Sequence, residues 1–552
     1  MYGMKNAANS LENLSKTELV SALAQARQAL QARELLFEKK LQQHQKQLAQ
    51  RDNFITLLEE KLRLLRAQGY GARSEQRVND PQADLFNEVD ALGSLPDPDE
   101  IEAGSLAIDS PSDDTHTITY ERRKTSGRKA LPESLPRVEI ELDIPDADKV
   151  CACGCQKNRI GADSSERLEY VPAKLFVERH IRYKYACPAC EEGVQIAARV
   201  PALIPKSNAG PGLLAYVITA KYQDALPLYR QEKIFNRHGI ELTRQTLANW
   251  VIKSAQALDP VLEQMESALR AAPVILMDET TVQVNKEEGK QASSKSYMWI
   301  RRALAPPDED NRYGKDITLY HYSRSRGSEV AAELLSGYHG ALMTDAYAGY
   351  NSVVASQQLM HALCWAHARR KFVEAEKSLP KGKKSPAISA ILNEIAKLYG
   401  VEKQIKTMSA ADKQTQRNTL AKPILEKLHQ SLLKKANEVL PKSALGEAVH
   451  YTLKCWSGLT QYLENGHIPI DNNGAENGIR PFVIGRKNWM FCDTVNGAHA
   501  SARLYSIIET AKANGLEPYH YLKHLFTQLP KANSEAAVQK LLPWQVDPLT
   551  LQ

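Results

Sequence analysis

Three carboxylates in three separate settings could do chemistry in this chain. Asp278 follows the apolar run Val274-Ile275-Leu276-Met277, and Asp345 follows Ala341-Leu342-Met343-Thr344. Glu476 stands within Asp471-Asn472-Asn473-Gly474-Ala475-Glu476-Asn477-Gly478-Ile479-Arg480, which opens a helix-like stretch. A carboxylate at the carboxyl end of a buried strand sits where a sheet presents its reactive groups. Three hard oxygen donors converging there can hold two Mg²⁺ (or Mn²⁺) ions, which clamp the attacking and leaving oxygens of a phosphoryl transfer. Any one of these acids alone is as readily a helix cap or a turn residue. Glu279 rivals Asp278, because a strand buried on both faces does not reveal by alternation which side chain faces the site.

The elements that must position these acids follow from pattern. Strands are predicted over 273–277, 297–303 and 316–322, each short, aromatic or β-branched, and bounded by polar turns. A helix over 328–335 precedes a fourth strand, 341–344, and a fifth, 359–364, leads into a helix from about Ala366. That order is the order of a ribonuclease H-like α/β fold, in which the first and fourth strands are neighbours. Asp278 and Asp345 would then be adjacent. Polar residues 376–465 read as an all-helical insertion, so the catalytic core is expected over 266–375 and 466–510, followed by a C-terminal tail region, 511–552.

Basic and aromatic residues gather around the acids. Arg480 lies four residues after Glu476, on the same helical face. Arg486, Lys487 and Trp489 interleave charge and ring, as phosphate contact and base stacking require; a packed hairpin with a solvated basic edge explains the same string. Cys364 and His367 form a Cys-x-x-His pair that offers only two metal ligands. They are read as supports for the acids or for DNA, with Arg369, Arg370 and Lys371 on phosphates. His361 suits a core position equally well.

Upstream, residues 1–70 carry a heptad seam: Val20, Leu23, Leu30, Phe37, Leu41, Leu48, Ile55, Leu58, Leu62 and Leu65, interrupted by Arg27, Glu34, His44 and Arg51. This predicts a coiled coil that self-associates. Residues 71–130 form an acidic linker and a basic arm. The stretch 80–120 holds 11 acidic residues and no Lys or Arg. Arg122, Arg123, Lys124, Arg128 and Lys129 then suit a phosphate backbone or a minor groove. Residues 131–202 read as a zinc-binding domain, with Cys151, Cys153 and Cys155 in one cluster and Cys187 and Cys190 in another. A tetrahedral structural zinc takes four of these thiolates, so one of the first three is spare. Residues 203–265 resemble a helix-turn-helix in which Arg244, Gln245 and Asn249 could face base edges.

Bulk composition frames this reading. The 552 residues are 43% hydrophobic and 25% charged with net charge +6, the profile of a multidomain globular protein. No apolar run approaches the roughly 20 residues that span a bilayer, and residues 1–16 lack the apolar core of a signal peptide. A cytoplasmic, reducing setting is expected, with the 8 cysteines as thiols or ligands.

Together these strings resemble the transposases of the bacterial insertion-sequence-66 family. The likeness runs through Arg128-Lys129-Ala130-Leu131-Pro132, the cysteine clusters, Leu226-Pro227-Leu228-Tyr229-Arg230, Asp278-Glu279-Thr280, Thr344-Asp345-Ala346-Tyr347-Ala348-Gly349-Tyr350, Cys364 to Phe372, and Asp471 to Phe491. It covers nearly the whole chain. The resemblance implies a DDE-type transposase with Asp278, rather than Glu279, as first acid and Asp345 and Glu476 as the others. It implies DNA partners (element ends and target) and accessory proteins from the same element. The first cysteine cluster departs from the usual C-x-x-C-G, which leaves Cys151 and Cys153 with Cys155 as a substitute. A nuclease of the same fold without strand transfer, or a DNA-binding regulator without catalysis, would share much of this pattern. If the seam drives association, a peptide of residues 1–75 is expected to scatter light as a dimer or larger at tens of micromolar; a monomer would place the seam on another surface.

Overall fold

The computed structural model describes residues 15–70, 175–185, 195–304, 316–380 and 382–551. The basic-arm residues Arg122, Arg123, Lys124, Arg128 and Lys129 and the zinc candidates Cys151, Cys153, Cys155, Cys187 and Cys190 lie outside them. The chain divides into two units, 97–200 and the remainder. The described part of the smaller unit contains one antiparallel pair, β1 (Lys184–Tyr185) and β2 (Gln195–Ile196). Cys187 and Cys190 fall in the segment that joins these strands.

In the larger unit, α1 (Lys16–Tyr70) is one uninterrupted helix. Glu18 starts it by accepting from both the Ser15 N–H and the Ser15 hydroxyl. Val20, Leu30, Phe37, Leu48 and the rest of the seam are exposed. Its last turns are tied down: Arg63 Nε donates to the Ser378 carbonyl at 2.7 Å, and Glu60 accepts from the Ala444 N–H at 3.2 Å.

Four helices lead to the sheet: α2 (Pro211–Tyr222), α3 (Leu228–Arg237), α4 (Arg244–Ala257) and α5 (Asp259–Arg270). Thr243 starts α4 by accepting from the Thr246 N–H. The sheet comprises β3 (Val274–Lys286), β4 (Lys295–Ala303), β5 (Ile317–Ser323), β6 (Ala341–Thr344) and β7 (Met360–Leu363), with α6 (Ser328–Leu334) between β5 and β6 and α7 (Asn351–Gln357) between β6 and β7. Its order is β5-β4-β3-β6-β7. β3, β4 and β5 pair antiparallel, whereas β3–β6 and β6–β7 are parallel. Strand β3 is far longer than the 273–277 expected. Its second half, Thr280-Thr281-Val282-Gln283-Val284, is β-branched and half-polar, so it pairs with β4 instead of ending at the first acid.

α8 (Trp365–Lys377) follows β7. Then come α9 (Pro386–Gln404), α10 (Ala410–Gln416), α11 (Lys422–Glu438), α12 (Ala444–Lys454) and α13 (Trp456–Thr460). This helical stretch is locked by Arg417, which is buried, pairs with Glu402 and donates to the Tyr462 carbonyl at 2.8 Å. The chain returns through α14 (Asn473–Trp489), β8 (Cys492–Thr494) and α15 (Val495–Ala513). α15 covers the edge strand β5. Thr510 Oγ1 bonds both the N–H and the carbonyl of Thr318, and Ser506 Oγ accepts from the Tyr320 N–H. An edge that would template pairing with another chain is thereby closed. Residues 511–552 do not trail as a tail: α16 (Pro518–Gln528) packs on α2, and α17 (Glu535–Gln539) on α5. Residues 203–265 likewise share one hydrophobic core with the sheet.

Helix α14 lies unusually close to the sheet. A Cβ on Gly474 would come within 2.7 Å of Leu276 Cδ2, and one on Gly478 within 2.7 Å of Ile300 Cδ1. The two glycines are one turn apart and face β3 and β4. Pro481 removes an N–H from the same helix, and the Tyr320 hydroxyl donates to the Gly478 carbonyl nearby. Gly478→Ala is expected to overpack this contact and cost about 1–3 kcal/mol, seen as a lowered melting temperature. An unchanged melting temperature would mean that α14 can lift without penalty.

Candidate active site

The parallel register sets the first two acids. Leu276 lies opposite Met343 in the last β3–β6 pair. Asp278 is two residues further on β3, and Asp345 immediately follows β6. Past Thr344 the short β6 no longer covers β3, and the start of α14 takes its place. Asn472 is 1% exposed and donates from Nδ2 to the Met277 carbonyl at 2.9 Å. Its own N–H donates to Cys364 Sγ at 3.1 Å. The Cys364 N–H reaches the Thr344 carbonyl, and the Trp365 N–H reaches the Ile470 carbonyl, each at 3.2 Å. The ends of β3, β6 and β7 and the first turn of α14 are thus stitched together. Glu476, in that first turn, is brought beside Asp278.

The geometry separates Asp278 from Glu279. Glu279 is engaged: Arg326 pairs with Oε1 at 2.5 Å, and the Tyr350 hydroxyl donates to Oε2 at 2.7 Å. The Arg326 guanidinium stacks over Tyr347, 3.9 Å from the ring centroid. Asp278 Oδ1 accepts the Glu279 N–H at 2.8 Å, and Asp345 Oδ1 accepts the Tyr347 N–H at 3.0 Å. Among the described residues, neither Asp278 nor Asp345 forms an ion pair with a cation. Burial, then the charges of Glu279, Glu476 and Asp345, hold the Asp278 carboxyl well above the usual carboxylate range. Burial also raises Glu279, despite Tyr350 and Arg326.

Glu476 is mostly buried. Its Oε2 lies 3.5 Å from Arg370 Nη2 and its Oε1 lies 3.6 Å from His367 Nδ1. Burial, helped by Arg370 and Lys371, pushes His367 down to about 4. The imidazole is therefore neutral near pH 7, and its contact with Glu476 is not an ion pair. Burial pushes the Cys364 thiol up. His361 Nε2 bonds Thr344 Oγ1 at 2.8 Å, a half-buried structural role.

Several expected DNA contacts are placed otherwise. Arg370 turns to Glu476 rather than outward. Arg486 donates to the Thr281 carbonyl and, at 2.9 Å, to its hydroxyl, which binds α14 to β3. Trp489 is buried against Phe482, with ring centroids 5.4 Å apart, and cannot stack on a base. Residues 481–489 of this string form the end of α14, because the helix runs through Pro481, and Met490 and Phe491 follow it outside the helix. Arg369 is half-buried and acts electrostatically on Tyr399, while Arg480 is half-buried one turn past Glu476. Lys371 and Lys487 are exposed. Arg244, Gln245 and Asn249 share an exposed face of α4, with Gln245 Nε2 donating to Asn249 Oδ1 at 3.3 Å. Sequence reasoning missed Asn472 and Arg326. The first adjoins Glu476 in the same polar string, but Arg326 gives no local signal, since its partners are Glu279 and Tyr347.

A sheet that gathers three acids beside a helical insertion defines a class of protein, and comparison with known proteins gives its family. The family model described as "Transposase IS66 family" matches residues 206–500. The "IS66 C-terminal element" matches 506–544, the "zinc-finger binding domain of transposase IS66" 148–191, and "Transposase C of IS166 homeodomain" 57–140. The chain belongs to the IS66 transposase family. Two relatives from Sinorhizobium fredii carry the names "Uncharacterized protein y4jD" and "Uncharacterized protein y4qI". The first is 31% identical over 491 residues, covering 86% of this chain and 91% of the relative. The second is 30% identical over 502 residues, covering 88% of each. Among the described residues no helix is long and apolar enough to cross a membrane.

The raised Asp278 carboxyl has a thermodynamic consequence. Unfolded, it titrates at about 3.9. Between that value and its raised folded value the folded chain binds the extra proton, so stability falls as pH rises through the window. Asp278→Asn is therefore expected to raise the melting temperature by about 2 °C near neutral pH, with the gain fading in acid. Mg²⁺ or Mn²⁺ should raise the melting temperature of the wild type but not of the variant. Calorimetry across pH, with and without the cation, checks both; a variant less stable than wild type at neutral pH would mean that the chain itself neutralises this carboxylate.

Proposed function

We propose that this chain is a DDE transposase with a ribonuclease H-like core, which cuts DNA at insertion-sequence ends and joins the freed 3′-hydroxyl to target DNA. The observation that carries this reading is the convergence of Asp278, Asp345 and Glu476 at the end of the parallel β3–β6 pair, with Asp278 left uncompensated by any cation of the described chain. The strand order β5-β4-β3-β6-β7 supports the ribonuclease H-like assignment. The donors fit Mg²⁺ or Mn²⁺, being hard carboxylate oxygens crowded in a half-buried pocket. Two such ions, when held by these three acids, supply charge neutralisation and activation of the attacking oxygen.

The chain's own residues prepare that pocket. Asn472 fixes the start of α14 against β3, and Arg370 orients Glu476 through Oε2. Arg326 and Tyr350 draw Glu279 aside, so that Asp278 faces the phosphodiester. No Tyr or Ser nucleophile is required. The exposed face of Arg244, Gln245 and Asn249 suits DNA, as do Lys371 and Lys487. The zinc-finger match supports a structural zinc held by Cys151 and Cys153 (or Cys155) with Cys187 and Cys190. Self-association through α1, accessory proteins of the same element and a bacterial cytoplasmic setting complete the reading.

Asp278→Asn, Asp345→Asn and Glu476→Gln are each expected to reduce Mg²⁺-dependent cleavage and strand transfer by roughly 1,000-fold or more, the equivalent of several kcal/mol of transition-state stabilisation. Binding to a duplex carrying the element end should be largely kept. Near-normal cleavage by any one variant removes that residue from the site; cleavage without joining by the wild type would reduce the function to that of a nuclease.

A further inference from the structure

Cys364, His367 and Glu476 make a second constellation beside the acids. Cys364 Sγ, a ring nitrogen of His367 and a Glu476 carboxylate oxygen all lie within 4.8 Å of one another. Cys364 and Glu476 are buried and His367 is half-buried. In sequence Cys364 and His367 offer only two ligands; folding supplies the third from 109 positions beyond His367.

Each donor is prepared for more than packing. Cys364 sits at the N-cap of α8, and its sulfur accepts the N–H of Asn472 at 3.1 Å and that of His367. These N–H groups offset part of the effect of burial and of the Asp471 and Glu476 charges on the sulfur, and a bound cation completes the stabilisation of a thiolate ligand. His367 Nδ1 is buried and makes no hydrogen bond among the described residues. Its 3.6 Å approach to Glu476 Oε1 is too long for a hydrogen bond. It is close to the ~3.4 Å that separates nitrogen and oxygen ligands on a tetrahedral zinc. Arg370 holds Glu476 by the other oxygen, Oε2, which leaves Oε1 turned toward His367.

We propose that Cys364, His367 and Glu476 form a binding site for a borderline-soft divalent cation, Zn²⁺ foremost, which shares Glu476 with the hard-oxygen site. Thiolate and imidazole select against Mg²⁺, which demands oxygen ligands and keeps its waters. Three protein ligands leave a fourth tetrahedral position for water. A consequence rests on the function proposed above: zinc that holds Glu476 Oε1 keeps this oxygen from Asp278 and Asp345, so the site acts as a brake on the hard-metal site.

The test uses the full chain, equilibrated with Zn²⁺ and freed of excess, with metal counted by elemental analysis. Wild type is expected to hold one more zinc per chain than Cys364→Ser or His367→Gln, since the zinc-finger cysteines contribute equally to all three. On exchange with Co²⁺, the wild type should show additional sulfur-to-cobalt charge-transfer absorption that Cys364→Ser lacks. Should Cys364→Ser fail to fold, His367→Gln, altered at a half-exposed position, decides. Equal zinc content across the folded proteins overturns the site. An extra wild-type zinc in a chain that shows no Mg²⁺-dependent cleavage even after this zinc is withdrawn would remove the proposed function yet leave this metal site standing.

Discussion

The approach of α14 to the sheet is the constraint on which the rest of the site depends. Glu476 can reach Asp278 only if its helix lies almost on the strands. Gly474 and Gly478 permit this because they place no Cβ against Leu276 and Ile300. Asn472 then fixes the axial position by hydrogen bonding the Met277 carbonyl, next to the first acid. A longer β6 would occupy that carbonyl's side of β3. The brevity of one strand therefore makes room for the third acid.

Charge is arranged around this geometry in two ways. Asp278 is left without a cation among the described residues and is raised by burial and by its acidic neighbours. Glu279, adjacent in sequence, is instead paired with Arg326 and hydrogen-bonded by Tyr350. The residues between Thr344 and Tyr350 thus serve both acids: Asp345 joins the cluster, while Tyr347 and Tyr350 manage Glu279. The helical insertion contributes as a buttress, since the Trp365 indole donates to the Leu459 carbonyl and the Trp365 N–H holds Ile470 just ahead of α14. This gives a physical reason for an insertion between the second and third acids: it sets where the chain re-enters.

Much of this was legible in the chain itself. Apolar runs ending in Asp278 and Asp345 marked two strands, because buried parallel strands read as continuous hydrophobic segments. The heptad seam marked α1, and Thr243 marked the start of α4. The IS66 family match was likewise carried by local strings. Strand length was not legible: β3 continues past Asp278 because β4 is there to pair with it, and that partner is a tertiary fact.

Side-chain roles divide in the same way. Residue types near Glu476 suggested basic and aromatic DNA contacts, yet Trp489 is buried against Phe482, and Arg486 and Arg370 turn to Thr281 and Glu476. A helical string exposes some faces and buries others, and only the position of the sheet decides which. The choice between Asp278 and Glu279 was open to local pattern for the same reason. By itself the sequence determined which residues could do chemistry and which segments are strands or helices, since those depend on residue type and local period. The tertiary structure alone decided which carboxylates remain free, because Arg326, Tyr350, Arg370 and His367 reach them from elements distant in the chain.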